Sequence, residues 1–317
     1  MFSELPKLFE RNFALGYFIP VAAFIAANAI LLFGYGISDD ILSTGSAELL
    51  IGTTIIGLVS WLGGIILLAL NRELIRIFEG YGKLNPLRLF SKQKEKRFDE
   101  LVQKKNHIDE QCKKYREENK KIPSEIINKY ASVMRDLSEK FPDQKEWLIP
   151  TTFGNIIRAF EVYPRVMYGI EAVQGWNRLL AVMPDNYLKL IDNAKAQMDF
   201  WINLKLLSII YLFEYLIFVI HKSQLKALET TIIALIVLLL SNSRACSAAL
   251  GWGEYVKSAF DVYLPELRTK LGYSELTNKE DERRFWGEFS WAMIYRRPME
   301  HKYTASPDNE LDISIAE

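Results

Sequence analysis

Four long apolar stretches dominate the hydrophobic pattern of the chain. They run from about Phe13 to Phe33, Leu49 to Leu70, Trp201 to Ile220 and Thr230 to Leu250. Each is close to the roughly 20 residues that an α-helix needs to cross about 30 Å of hydrocarbon. The first two hold no charged residue, whereas the third carries Lys205 and Glu214 and the fourth carries Arg244. The first stretch is too long for the apolar core of a signal peptide, and no small-x-small site follows it. It is therefore expected to persist as a helix.

Between and after these stretches the pattern turns to helical stripes. Residues 72–82 continue the second stretch until Gly80, Gly82 and Pro86 end it. From Lys92 to Lys121, Phe98, Leu101, Ile108, Cys112 and Tyr115 form a narrow seam suited to pairing with one neighbouring helix. Pro123 breaks that helix, and Ile126, Ile127, Tyr130, Val133, Met134, Leu137 and Phe141 predict an antiparallel partner. Pro150, Pro164 and Pro184 divide the next segment into short helices, with Thr151 or Thr152 and then Asp185 as N-caps. Residues 251–271 extend the fourth stretch as an amphipathic helix containing Pro265. Thr277-Asn278-Lys279-Glu280 reads as a capping box that opens another helix.

The expected fold is all-α: a polytopic membrane protein with four transmembrane helices and a large cytosolic helical domain between the second and third. The expected organisation is a first hairpin (1–71), a charged helical hairpin (72–149), a short-helix motif region (150–200), a second hairpin (201–250), C-terminal helices (251–299) and a disordered tail (300–317).

Charge orients this arrangement. Lysine plus arginine and aspartate plus glutamate balance at 39 each, so no global bias points to an acidic partner. Their distribution is uneven. The connection 34–48 has no basic residue and carries Asp39, Asp40 and Glu48, whereas 72–121 holds 15 basic residues against 9 acidic ones. With Lys7 and Arg11 at the amino end, the basic flanks predict that both termini and the 72–200 region lie on the cytosolic side of the membrane. Lys222 and Lys226 in the short second connection vote the other way and are outnumbered. The charged hairpin is expected to lie beside anionic lipid, a reading favoured over nucleic acid. Two distant cysteines and three scattered histidines supply neither a disulfide framework nor a metal-ligand spacing. No cofactor is implied.

Candidate chemistry lies in four groups. Glu214 needs an explanation, because a charge near mid-bilayer costs at least about 2.5 kcal/mol. Depth counting puts it level with Asn28 and Thr54, as an intramembrane layer that either glues helices or lines an ion path. Lys205, Ser241, Asn242 and Arg244 fall at a similar depth nearer the cytosol, as snorkelling groups or an inner vestibule. Thr53, Gly57, Ser60 and Gly64 place small residues along one helix face, which allows close approach of another helix from the same chain or a neighbouring copy. Asn155, Arg158, Glu161, Arg165, Tyr168, Glu171 and Arg178 could form a structural ion-pair network or bind a small anionic ligand.

The run P-T-x-x-G-N-x-x-R-A-x-E, here Pro150, Thr151, Gly154, Asn155, Arg158, Ala159 and Glu161, resembles the signature of a family of uncharacterised bacterial integral membrane proteins. The resemblance continues through Tyr168-Gly169, Glu171, Trp176 and Arg178-Leu179, and again in Gly253 to Asp261. It departs from the family pattern at Val162 and Asn177. The resemblance implies a bacterial membrane protein, which with the orientation above gives a multi-pass protein of the bacterial inner (cytoplasmic) membrane with both termini cytosolic, and it carries no activity with it.

No P-loop, G-x-S-x-G, H-E-x-x-H or C-x-x-C occurs in the sequence. Three readings follow. The first is a homo-oligomeric channel or pore gated through the cytosolic helices, an architecture shared with some bacterial stress and anti-phage defence effectors. The alternative is a membrane-anchored scaffold that recruits a cytosolic protein through residues 92–141. The third is an enzyme at the membrane surface.

Overall fold

A computed structural model describes residues 10–35, 46–222, 227–274, 276 and 278–299. The described residues form helices and their connections. Four helices are long and apolar enough to cross a membrane: α1 (Arg11–Gly34), α2 (Ser46–Ala69), α8 (Asp185–Lys222) and α9 (Leu228–Lys270). The shorter ones are α3 (Asn71–Glu79), α4 (Ser91–Glu117), α5 (Ser124–Lys140), α6 (Thr152–Tyr168), α7 (Ala172–Leu179) and α10 (Lys279–Tyr295). The acidic connection with Asp39 and Asp40, Lys7, Lys226, Thr277 and the tail from residue 300 lie outside the described residues.

Several predicted boundaries have visible causes. Gly80 ends α3 with a φ of 100°, a left-handed backbone that favours glycine, and a Cβ there would lie 3.0 Å from Pro150. The Thr151 hydroxyl caps α6 by accepting from the Gly154 amide at 2.9 Å. Asn278 caps α10 by accepting from the Glu280 amide at 3.0 Å. Pro164 does not divide its segment: it sits inside α6 four residues before the end, and the helix runs through it although residue 164 has no amide to donate to the turn before. Pro265 likewise lies within α9, which together with α8 runs far past its apolar stretch.

The chain forms two compact units, with boundaries inside α6, α8 and α9. The first comprises residues up to Arg158 together with Leu190–Gly253. Its apolar clusters join Phe13, Tyr17, Val21, Leu67, Leu74 and Leu207 in one group, and Leu31, Tyr35, Tyr211, Tyr215 and Ala234 in another. Antiparallel α4 and α5 enclose their own small core of Phe98, Leu101 and Phe141, with Val133 and Leu137 against it. The outer surface of α2 is apolar and exposed, as with Ile51, Ile55, Leu62 and Ile66. The second unit comprises Ala159–Lys189 and the residues from Glu254 onward. Fully buried Phe260, Phe285, Trp286 and Phe289 form its centre, and Gly175 is required there because a Cβ would meet Ile170 at 2.8 Å.

Candidate functional site: the buried polar face of α8

The first turns of α1 contain a π-helical segment, Ala14–Phe18. Pro20 accounts for it. In a regular α-helix the Gly16 carbonyl would accept from the amide of residue 20, but proline has no N–H and its ring crowds that carbonyl. Widening the turn relieves the crowding and leaves the carbonyl to another donor. Asn203 on α8 supplies it, with Nδ2 donating to Gly16 O at 2.8 Å. Gly16 also lets the helices approach closely, since a Cβ there would already touch Ala196 and Asp199.

One residue further on, Tyr17 donates to Asp199 Oδ2 at 2.6 Å, and Lys195 donates to the same oxygen at 2.7 Å. Asn71, at the start of α3, completes the group. With its amide nitrogen facing Asp199 Oδ1 at 3.3 Å, its oxygen accepts from Lys195 Nζ at 2.8 Å and lies 3.0 Å from the Tyr17 hydroxyl. Asp199 and Asn203 are almost fully buried, while the Lys195 side chain keeps 34% of its exposure.

These residues begin a longer series. Lys195, Asp199 and Asn203 recur at steps of four, and Ser208, Tyr211 and Tyr215 are buried further along α8, the buried positions winding around the helix by about 40° at each step of four. From Lys195 to Tyr215 the rise is about 30 Å at 1.5 Å per residue, and the part from Asn203 to Tyr215, about 18 Å, lies within the third apolar stretch. Tyr211 shares a hydrogen bond of 2.6 Å with Thr230 Oγ1 on α9. Thr230 donates its own proton to Ala227 O at 2.9 Å, so Tyr211 is the donor. A cavity of about 370 Å³ lies beside this stretch, lined by Ala23, Ala27, Ser208, Tyr211, Thr230 and Ala234 among others.

Four polar atoms along this line are buried without a hydrogen-bond partner in the protein: Asn203 Oδ1, Glu214 Oε2, Tyr215 OH and, on α9, Ser241 Oγ. In hydrocarbon each such group costs several kcal/mol. A water molecule at each would satisfy them.

The sequence-predicted groups fare differently. Glu214 does not join Asn28 and Thr54 in a hydrogen-bonded layer: Asn28 donates to Phe24 O on its own helix at 3.2 Å, and Thr54 is exposed. Lys205 and Asn242 do meet, at 2.8 Å, while Ser241 is buried and Arg244 is exposed. On the small-residue face, Gly64 packs against Phe13 and Phe18 and Ser60 is buried, but Thr53 is exposed and nothing lies within 4 Å of a Cβ built on Gly57.

The residues from 155 to 178 divide between the units. In the first, Asn155 ties Ile149 and Thr151 together through three hydrogen bonds of 2.6–2.9 Å. Arg158 donates to the Tyr81 hydroxyl. In the second, Arg165 pairs with Glu171 at 3.3 Å, and Glu161 is exposed. Arg178 donates to Gln174 O and lies over the Phe289 ring. Tyr168 and Tyr163 both donate to Asp261, at 2.7 and 2.8 Å. Burial and then the bond to Asp261 push the Tyr163 hydroxyl up to about 12 and raise Tyr168 as well. Among the described residues no group of three or more histidine, cysteine or acidic side chains is placed to hold a metal ion.

Comparison with known proteins adds no relative: no family model matches the chain, and no curated protein or solved structure matches it.

Proposed function

We propose that the protein is a multi-pass protein of the bacterial cytoplasmic membrane, with both termini in the cytosol, and that it conducts protons or small cations along the buried face of α8. The observation that carries this reading is the row of unpartnered polar atoms from Asn203 to Tyr215, joined by Ser241, on helices of membrane-spanning length. A polar group left dry in hydrocarbon is a standing cost, and a hydrated path removes it. The carboxylates Asp199 and Glu214 favour cations over anions. Copies of the chain assemble through the uncovered half of the α2 small-residue face, at Thr53 and Gly57. The cytosolic helices gate the path in this reading.

Flux from liposomes containing the purified full-length chain tests this. Proton or potassium release should exceed that of empty liposomes, and chloride release should not. Asn203→Leu, which places an apolar block in the path, should lower cation flux on the order of tenfold. Glu214→Gln should alter it as well. Equal flux from wild type and empty liposomes, at any membrane voltage, would rule the reading out.

A further inference from the structure

Two ammonium groups near the ends of the apolar stretches have only neutral partners. Lys94, in the first turn of α4, donates to Thr152 Oγ1 at 2.6 Å. Lys205, on α8, donates to Asn242 Oδ1 at 2.8 Å, and its Nζ lies 4.5 Å from the centre of the Phe78 ring. Both side chains are half-buried, and among the described residues neither meets a carboxylate. The nearby Lys140 differs, being neutralised by Asp136 at 2.6 Å.

The two lysines converge on one junction. Thr151 donates to the carbonyls of Phe78 and Glu79 at 2.9 and 3.1 Å. The end of α3, which carries the ring beneath Lys205, is thereby fixed to the start of α6, which carries the hydroxyl that holds Lys94. Cys246 of α9 lies in the field of both ammonium groups. The junction is rigid: a Cβ on Gly154 would fall 2.6 Å from the Glu79 carbonyl oxygen. Burial lowers the Lys94 ammonium from the ordinary lysine value, as expected of a cation that has lost water without gaining an anion. A desolvated cation with neutral partners is a cost that a bound anion removes.

We infer that Lys94 and Lys205 together hold a phosphate group, with Asn242 and Thr152 positioning the two ammonium ions. The source favoured is the headgroup of an anionic phospholipid in the cytosolic leaflet. Lys205 and Cys246 lie at the inner ends of the third and fourth apolar stretches, where headgroup phosphates would sit, and basic pockets between helices at that level suit such lipids. This assignment rests on the membrane orientation proposed above and not on conduction.

Thermal melting of the full-length protein in neutral detergent tests it, with phosphatidylglycerol, phosphatidylcholine or inorganic phosphate added. Phosphatidylglycerol should raise the melting temperature of the wild type saturably, and phosphatidylcholine should not. The Lys94→Gln/Lys205→Gln double variant should require on the order of tenfold more phosphatidylglycerol for the same shift, and Lys94→Arg/Lys205→Arg should behave as wild type. If inorganic phosphate gives a saturable shift that the Gln substitutions remove, the site stands with a soluble source. Should the double Gln chain not fold, each single variant carries the test with a smaller loss. The inference fails if the wild type responds to neither probe, or if the Gln variants respond as the wild type does. Because melting is read and not flux, failure here is separable from failure of the conduction reading.

Discussion

Asp199 and Lys195 share a charge pair that is dry at one end and wet at the other, and this asymmetry sets what each substitution costs. The Asp199 side chain is 3% exposed and the Lys195 side chain 34%. Removing the lysine strands a carboxylate in a buried site, whereas removing the acid strands an ammonium that still reaches water. Lys195→Met should therefore destabilise the protein by about 3 kcal/mol. Asp199→Asn should cost about 1 kcal/mol, and the double variant should recover part of the larger loss, all read from melting in detergent. Gly154 gives a second residue-level case. A Cβ there meets the Glu79 carbonyl oxygen at 2.6 Å and Ile149 at 2.5 Å, so backbone must move. Gly154→Ala should cost about 2–3 kcal/mol, while Gly57→Ala, facing open space, should leave the melting temperature almost unchanged. In the motif that begins at Pro150, Thr151 and Gly154 have structural work that spacing alone could not reveal, because their partners at 78 and 79 are far away in sequence, whereas Asn155 bonds locally to Ile149 and Thr151.

At the scale of elements, the π-helical turn of α1 and the polar face of α8 form one device. Pro20 removes the donor for the Gly16 carbonyl, and Asn203 replaces it from another helix. Asn203→Leu should thus cost about 1–3 kcal/mol in the native background. It should cost much less when Pro20→Ala restores an amide at position 20. A double-mutant cycle with coupling above about 1 kcal/mol supports the link, and additivity within error contradicts it. The four apolar stretches, the α4–α5 seam and the end of α3 at Gly80 were legible in the sequence because periodicity and glycine act locally. The polar face of α8 was not. Reading the third stretch from Trp201 cut Lys195 and Asp199 away from Asn203, Tyr211 and Tyr215, and the four-residue period emerges only when α8 is followed from Asp185. Pro20, inside an apolar run, was the available sign that Gly16 needed an outside partner. Depth counting placed Glu214 beside Asn28 and Thr54, but equal depth does not fix which way a helix face turns.

For the whole molecule, the central claim is that water reaches into the membrane along the buried side of α8 between Asn203 and Tyr215. The opposite face of that helix carries exposed Ile209, Phe213 and Ile217, which face lipid in this account. A thiol reacts with a charged, membrane-impermeant reagent only where water lets it ionise, so a cysteine scan separates the two faces. With Cys112 and Cys246 replaced by serine, single substitutions would be made at Asn203, Ser208, Tyr211 and Tyr215, and at Ile209, Phe213 and Ile217. Reagent applied to the proteoliposome surface that bears the charged hairpin should modify the first four positions and spare the other three. If the first four are as unreactive as the lipid-facing three from both sides of the membrane, the path does not exist.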